Sequence, residues 1–98
     1  RSNLGLSLAI TGQAKEAIAL LAPIAGGSGA DGRVRQNLAL AYAMAGDLES
    51  ALQISRKDMP EPVAQRQLSY YLMLKGLPAD ARSAEIRRNP NFFPQGGR

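Results

Sequence analysis

The chain has no cysteine, no histidine and no tryptophan among its 98 residues. Without thiols or imidazoles it can form no disulfide, no thiolate or imidazole metal site, and no catalytic dyad or triad that uses those groups. Its serines and carboxylates show no base or metal partner at a recognisable spacing. We therefore expect no enzyme, no cofactor and no metal. The lack of cysteine is compatible with both cytosol and periplasm.

Long apolar runs, aromatic residues and net charge are also scarce. No run of about 18 apolar residues occurs, so no membrane-spanning helix is expected. Aromatic residues make up only 5% of the chain, so aliphatic side chains and alanine have to form the core, which favours closely packed helices. The net charge of +4 is concentrated in residues 59–98. A simply solvated surface is the expected interpretation, with an acidic partner or nucleic acid as alternatives.

Glycine is concentrated in the segment "GGSGADG" at residues 26–32, which contains the G-x-G-x-x-G spacing of a dinucleotide-binding loop. In such a site the preceding "AIALLAPIA" would be a central parallel strand, from which Pro23 is nearly excluded. Apolar residues at steps of three and four predict a helix instead: Ala14, Ala17, Ile18, Leu21 and Ile24. We interpret the glycines as an inter-repeat loop and expect Pro23 to kink or shorten the helix before it.

An internal repeat of 34 residues runs through the chain. The segment "NLGLSLAITGQAKEAIALL" from Asn3 aligns without a gap with "NLALAYAMAGDLESALQIS" from Asn37, and a weaker copy, "QLSYYLMLKGLPADARSAE", starts at Gln67. Each copy places apolar residues four apart on one helical face, then a glycine suited to a left-handed helix end, then a small alanine. These are Gly12, Gly46 and Gly76, and Ala17, Ala51 and Ala81. The pattern predicts helix, tight turn and helix, repeated three times.

This unit resembles the tetratricopeptide repeat over residues 3 to about 85. The Leu-Gly of "LGLSL" and the "TGQAKEA" turn carry the resemblance, and "LALAYAMAGDLESA" is similar, with Tyr42 at the family's usual aromatic position. The early tryptophan and a terminating proline after the first copy are missing. The resemblance implies an all-α fold, a right-handed solenoid of antiparallel helix pairs with about three repeats. Their ranges are 1–30 with the glycine loop, 31–60, a degenerate 61–88, and an irregular tail at 89–98.

In solenoids of this family the first helices line a concave groove that binds an extended peptide. The resemblance implies that groove here, with these contact residues: Asn3, Leu6, Arg33, Gln36, Asn37, Leu40, Arg66, Gln67, Tyr70 and Met73. Amides can hydrogen-bond any peptide backbone, and guanidinium groups can hold a carboxylate. The apolar members favour an amphipathic segment as ligand. Local bonding of the asparagines and plain solvation of the arginines are the alternative.

The sequence also supports predictions for the two ends of the chain. The tail contains Pro90 and Pro94, so no helix is expected past about Arg88. The adjacent Phe92 and Phe93 are expected to fold back over the third pair, with a short docking motif as the alternative. Because the first copy begins without a clear cap, we expect preceding repeats or an ordered segment before Arg1. Such an uncapped apolar end also predicts a homodimer through the first pair.

The segment "RVRQNLALAYAMAGDLESAL", preceded by "EAIALLAPIA", is similar to the TadD-type component of tight-adherence (Flp) pilus assembly. That resemblance implies a non-enzymatic bacterial scaffold that assists the pilus secretin. It also implies a periplasmic location, with outer-membrane anchoring through a lipidated segment upstream of this chain. A generic tetratricopeptide adaptor of another bacterial pathway, a cytoplasmic location and a helical-repeat RNA-binding protein are the alternatives.

Overall fold

The computed structural model describes residues 2–28 and 30–88, and over those ranges the chain is all-α, with six helices and no strand. The predicted fold class is confirmed at this level. The helices are α1 (Ser2–Ile10), α2 (Ala14–Ala25), α3 (Gly32–Met44), α4 (Leu48–Ser55), α5 (Glu61–Lys75) and α6 (Ala79–Arg88). None of these described helices is long and apolar enough to cross a membrane. The tail with Phe92 and Phe93 lies outside the described residues.

Aspartate side chains cap the N-termini of two helices. The Asp31 carboxylate accepts a hydrogen bond from the Val34 amide at 2.9 Å, and the Asp47 carboxylate accepts one from the Ser50 amide at 3.2 Å. Each bond satisfies a backbone donor that the first turn of a helix leaves unpaired. Asp31 is therefore the N-cap of α3, and Asp47 is the N-cap of α4.

The segment before the glycine loop is a helix, as the spacing of its apolar residues predicts. Helix α2 includes Pro23 and continues for two residues beyond it, ending at Ala25 with Gly26 as its C-cap. A strand leading into a phosphate-binding loop is therefore ruled out for this segment. The helix continues past Pro23, and it is longer than α4 and α6, so no shortening at the proline is seen.

The first two turns have the predicted left-handed glycine. Gly12 has a φ of +89° and Gly46 a φ of +90°. After each glycine the next amide reaches back to a carbonyl of the preceding helix, over 2.8 Å from Gln13 to Leu8 and over 2.9 Å from Asp47 to Tyr42. These bonds satisfy carbonyls at the helix end. As a result α2 packs against α1, and α4 packs against α3.

The third turn differs, and the prediction of a left-handed Gly76 is wrong. Gly76 has a φ of −76°, in the right-handed helical region. Its amide donates to the Leu72 and Met73 carbonyls, and the Leu77 amide donates to the Leu74 carbonyl, so this turn lacks the bond pattern of the first two turns. Helix α6 then starts after Pro78, and its backbone comes closer to α1 than to α5. Accordingly Ala81, predicted as a buried packing alanine, is only half-buried.

Helices α1, α3 and α5 contact one another in series, and α2 and α4 pack against them. Alanines dominate the buried core, with exposed fractions of 0–1% for Ala9, Ala17, Ala39, Ala43 and Ala51. Methyl-sized side chains let the helix backbones approach closely, as the scarcity of aromatic residues predicts. A second, smaller cluster contains Leu21, Val34 and Leu38.

Helix α1 approaches α2 so closely at Gly5 that a side chain there would collide with Leu21. A Cβ placed on Gly5 would lie 2.6 Å from the Cγ, Cδ1 and Cδ2 atoms of Leu21, which is fully buried. The equivalent positions in the next copy are Ala39 and Ser55, both buried. In the second copy, alanine replaces the glycine of the first helix and serine replaces the leucine of the second helix. The larger residue on one helix is thus accompanied by a smaller residue on the other.

An ion pair connects the end of α4 to the start of α5. The Arg56 guanidinium lies 2.7 Å from one Glu61 oxygen and 3.0 Å from the other, and the Gln65 amide donates to Glu61 at 2.7 Å. The Arg56 hydrogen bond, with a smaller contribution from Gln65, lowers the pKa of the Glu61 carboxyl to about 2. Since both side chains are exposed, the pair orients the connection more than it stabilises the fold.

Substituting the turn glycines tests the difference between the second and third turns. Gly46→Ala forces a side chain into a left-handed backbone and should cost about 1–2 kcal/mol of unfolding free energy. Gly76→Ala needs no such conformation and should be neutral or stabilising by up to about 1 kcal/mol, because it restricts the unfolded chain. Urea unfolding followed by circular dichroism measures both. Equal effects of the two substitutions would contradict the described turn geometry.

A double-mutant cycle tests the contact between Gly5 and Leu21. Gly5→Ala should cost about 1–3 kcal/mol, because it overpacks the interface between α1 and α2. In a Leu21→Ala background the same substitution should cost much less, since the colliding atoms are gone. The control is Gly32→Ala, where an added Cβ meets nothing within 4 Å. Additive costs in the cycle would show that the two residues do not compete for space.

Candidate functional site

Three of the predicted groove residues lie in the protein interior. Gln36, Asn37 and Leu40 on α3 are at most 1% exposed. The physical reason is the position of α3, which contacts α1, α2, α4 and α5 and so has neighbours on several sides. The expectation that these three side chains line an accessible groove is corrected, because none of them can reach a ligand in this structure.

The buried amide of Gln36 joins α3 to α5 instead of holding a peptide. The Tyr71 hydroxyl donates to the Gln36 Oε1 atom at 3.0 Å and accepts a bond from the Gln67 amide at 3.2 Å. Burial raises the pKa of the Tyr71 hydroxyl well above its ordinary value, and the Gln67 hydrogen bond opposes that shift. Tyr71 is therefore a neutral donor at any physiological pH, and Gln67 is partly committed to the same network.

The other predicted groove residues are more accessible. Arg33, Arg66 and Met73 are exposed, with 44% of the Met73 surface accessible to solvent. Leu6, Gln67 and Tyr70 are half-buried, and Leu6 and Tyr70 pack against the larger core cluster. Asn3 lies in α1, but its side chain is outside the described part of the structure.

Helix α6 lies against one of these residues. The Tyr70 hydroxyl on α5 donates to the Glu85 carboxylate on α6 at 2.9 Å. Leu77, just before α6, and Ile86 within it pack against the larger core cluster, to which Leu6 and Tyr70 also belong. The surface predicted to receive a peptide is therefore contacted by a helix of the chain itself.

A cleft of about 370 Å³ lies between α2, α3 and α4. Its lining is apolar on the floor and basic at the edge, and consists of Ala22, Ala25, Gly26, Arg35, Leu38, Tyr42, Ile54 and Lys57. Sequence reasoning missed this cleft. The signal that could have found it is the spacing of Arg35, Leu38 and Tyr42 at steps of three and four, which places them on one face of a helix.

The two cations at the cleft edge differ in their partners. The Arg35 guanidinium binds both oxygens of Asp58, with an Nε–Oδ2 distance of 2.9 Å and an Nη2–Oδ1 distance of 2.8 Å. The hydrogen bond to Asp58 raises the pKa of Arg35 above its ordinary value. Lys57 makes no ion pair with any residue that the structure describes. The cleft therefore presents one ammonium group beside an apolar floor.

The described acidic side chains do not form a cluster with metal-binding geometry. Within residues 2–28 and 30–88, no three acidic side chains come together in a way that could hold a metal ion. Apolar floors, amides and cationic edges recognise apolar segments that carry carboxylates.

The chain matches no protein-family model, no curated protein and no solved structure. The tetratricopeptide and TadD-type resemblances stay predictions from the sequence. A functional proposal for the chain therefore depends on the internal repeat and on the contacts within the molecule.

Removing one hydroxyl tests the buried network. Tyr71→Phe takes a donor from the buried Gln36 oxygen and should cost about 1–3 kcal/mol of unfolding free energy. Tyr42→Phe is the matched control, because Tyr42 is half-buried and its hydroxyl bonds to none of the described residues; it should cost less than about 0.5 kcal/mol. Urea unfolding of both variants provides the comparison. Equal costs would show that the Tyr71–Gln36 bond contributes nothing.

Proposed function

We propose that the chain is a non-enzymatic protein-interaction scaffold, built from tetratricopeptide-like helix pairs, that binds a segment of another protein. The observation that carries the proposal is the reuse of one turn at a spacing of 34 residues. Gly12 and Gly46 have φ values of +89° and +90°, and Ala17 and Ala51 are both buried. Stacked helix pairs of one design present extended surfaces, and their usual role is binding.

The proposed architecture is a right-handed solenoid of antiparallel helix pairs with about three repeats. The chain reversals at Gly12 and Gly46 support antiparallel packing in the first two pairs. The serial contacts of α1, α3 and α5 support stacking of one pair on the next. The third pair is degenerate in this proposal, since α6 leaves α5 and approaches α1.

The proposed ligand is an amphipathic peptide segment that contacts the accessible residues of α3 and α5. Arg33 and Arg66 supply guanidinium groups that can hold carboxylates, and Met73 supplies a flexible apolar contact. Gln36, Asn37 and Leu40 are left out of this proposed contact set because they are buried. The remaining predicted residues, Leu6, Gln67 and Tyr70, are half-buried and contribute only where α6 leaves them accessible.

The narrower proposal is a TadD-type role in tight-adherence pilus assembly, with the secretin or another assembly component as partner. Its support is the sequence similarity of the segment that forms α2, α3 and α4. A periplasmic location, outer-membrane anchoring through an upstream lipidated segment, and homodimerisation through the first pair belong to the same proposal. A generic adaptor of another bacterial pathway shares the fold and the binding mode and differs in its partner.

Site-specific photo-crosslinking in the native bacterial envelope tests this proposal. A photoreactive amino acid replaces the exposed Met73 on α5 in the full-length protein, and mass spectrometry identifies the crosslinked proteins. The expected product is a crosslink to the secretin or to another pilus-assembly component. The matched control places the same amino acid at the exposed Gln53 on α4, where the same crosslink should be much weaker.

Other products would overturn the proposal at different levels. Crosslinks to ribosomal proteins or chaperones would remove the pilus role and leave a generic adaptor. Equal crosslinking at Met73 and Gln53 would remove the proposed contact surface. RNA binding that weakens steeply between about 50 and 200 mM salt would replace the protein-binding proposal altogether.

A further inference from the structure

Helix α6 packs differently from the second helices of the first two pairs. Helices α2 and α4 fold back on α1 and α3, whereas α6 makes its closer backbone approach to α1, at the far end of the α1–α3–α5 row. The side chains of α6 also reach α5, through Glu85 and Tyr70. Helix α6 therefore bridges the first and last helices of that row.

Arg82 attaches α6 to the end of α1. The Arg82 guanidinium donates to the Ile10 carbonyl at the end of α1, and through Nε and Nη2 to the Leu77 carbonyl at 3.1 and 3.0 Å. The last carbonyls of a helix lack partners within the helix and carry partial negative charge. A guanidinium at the end of α1 satisfies one of them and complements that charge.

The contacts of α6 come from one of its faces. Arg82, Glu85 and Ile86 are at positions i, i+3 and i+4, which share a helical face. Glu85 accepts the hydrogen bond from Tyr70, and Ile86 packs on the larger core cluster. We call the surface that receives these three side chains the α6 docking surface; it comprises the Ile10 carbonyl, the Tyr70 hydroxyl and the adjoining part of that cluster.

Helix α6 buries fewer residues than the helices it packs against. None of its residues is buried, whereas α3 has eight buried residues. The connection to α5 is the short segment from Gly76 to Pro78, and Gly76 does not adopt the left-handed backbone of Gly12 and Gly46. Segments with few buried apolar contacts open at a small fraction of the global unfolding free energy. We therefore expect α6 to open more readily than the α1–α5 core.

We propose that α6 is an exchangeable intramolecular ligand, and that the α6 docking surface binds a helix of the same chemistry from a partner protein. That helix carries an arginine, a glutamate and an aliphatic residue at positions i, i+3 and i+4. The seated α6 shows which chemistry the surface accepts. The inference rests on the proposed protein-binding function and specifies the partner segment as helical, with α6 as its competitor.

Competition with a synthetic peptide tests this proposal on the full chain. The probe is a fluorescein-labelled peptide with the sequence of residues 77–88, and binding is followed by fluorescence anisotropy. Arg82→Ala combined with Ile86→Ala weakens the attachment of α6 and raises the fraction of molecules with a free docking surface. The peptide should then bind at least about tenfold more tightly than to the unmodified chain, because apparent affinity scales with that fraction.

Matched variants separate docking from general effects. Arg87→Ala changes an exposed arginine of α6 and should leave peptide binding at the unmodified level. Tyr70→Phe introduced into the double variant removes the donor to the glutamate and should weaken peptide binding several-fold. A peptide that carries Arg82→Ala should also bind at least about tenfold more weakly to the double variant. Equal affinity of the unmodified chain and the double variant, or no saturable binding to either, would overturn the proposal.

Hydrogen exchange on the unmodified chain provides a measurement that needs no destabilised variant. Amides of α6 should exchange faster than those of α3, and Arg82→Ala should accelerate α6 while leaving α3 unchanged. Equal protection of α6 and α3 would show that α6 is a fixed part of the core and would overturn the proposal. Since neither measurement uses the native partner, failure here is distinguishable from failure to crosslink a pilus component.

Discussion

The left-handed backbone at Gly12 and Gly46 sets the direction in which the second helix of each pair leaves the first. At those turns the amide after the glycine bonds back into the preceding helix. At Gly76 the backbone stays right-handed, and α6 is directed toward α1. The backbone at these three glycines thus separates two closely packed helix pairs, α1 with α2 and α3 with α4, from a last helix that approaches α1. Both the proposed scaffold and the exchangeable α6 follow from that difference.

Close helix packing depends on small side chains placed where backbones meet. Gly5 leaves space for Leu21, and one copy later Ala39 and Ser55 occupy the equivalent buried positions. The second copy thus has a larger residue on its first helix and a smaller one on its second helix at these positions. A core with little aromatic content depends on that fit.

The position of α3 decides how the polar residues of the predicted groove are used. With helices on several sides, α3 directs Gln36 and Asn37 into the interior, and the Gln36 amide becomes part of a bonded network with Tyr71. Accessible polar groups are left on Arg33 and Arg66, and a separate cleft forms between α2, α3 and α4. The groove that the resemblance implies is therefore found only in part. Its α3 residues Gln36, Asn37 and Leu40 are buried, and α6 contacts Tyr70.

The amino-acid sequence alone determined the all-α class, the positions of most helices, the helical state of the segment before the glycine loop, and two of the three turn conformations. These properties depend on short-range periodicity, capping residues and the freedom of glycine at positive φ. Tertiary structure decided the burial of Gln36, Asn37 and Leu40, the cleft beside Lys57, and the docking of α6 on α1. Those features depend on contacts between residues as far apart as Ile10 and Arg82, and no local pattern encodes them. At Gly76 the same residue at the same place in the repeat adopts a right-handed backbone, a difference from Gly12 and Gly46 that the repeat pattern does not predict.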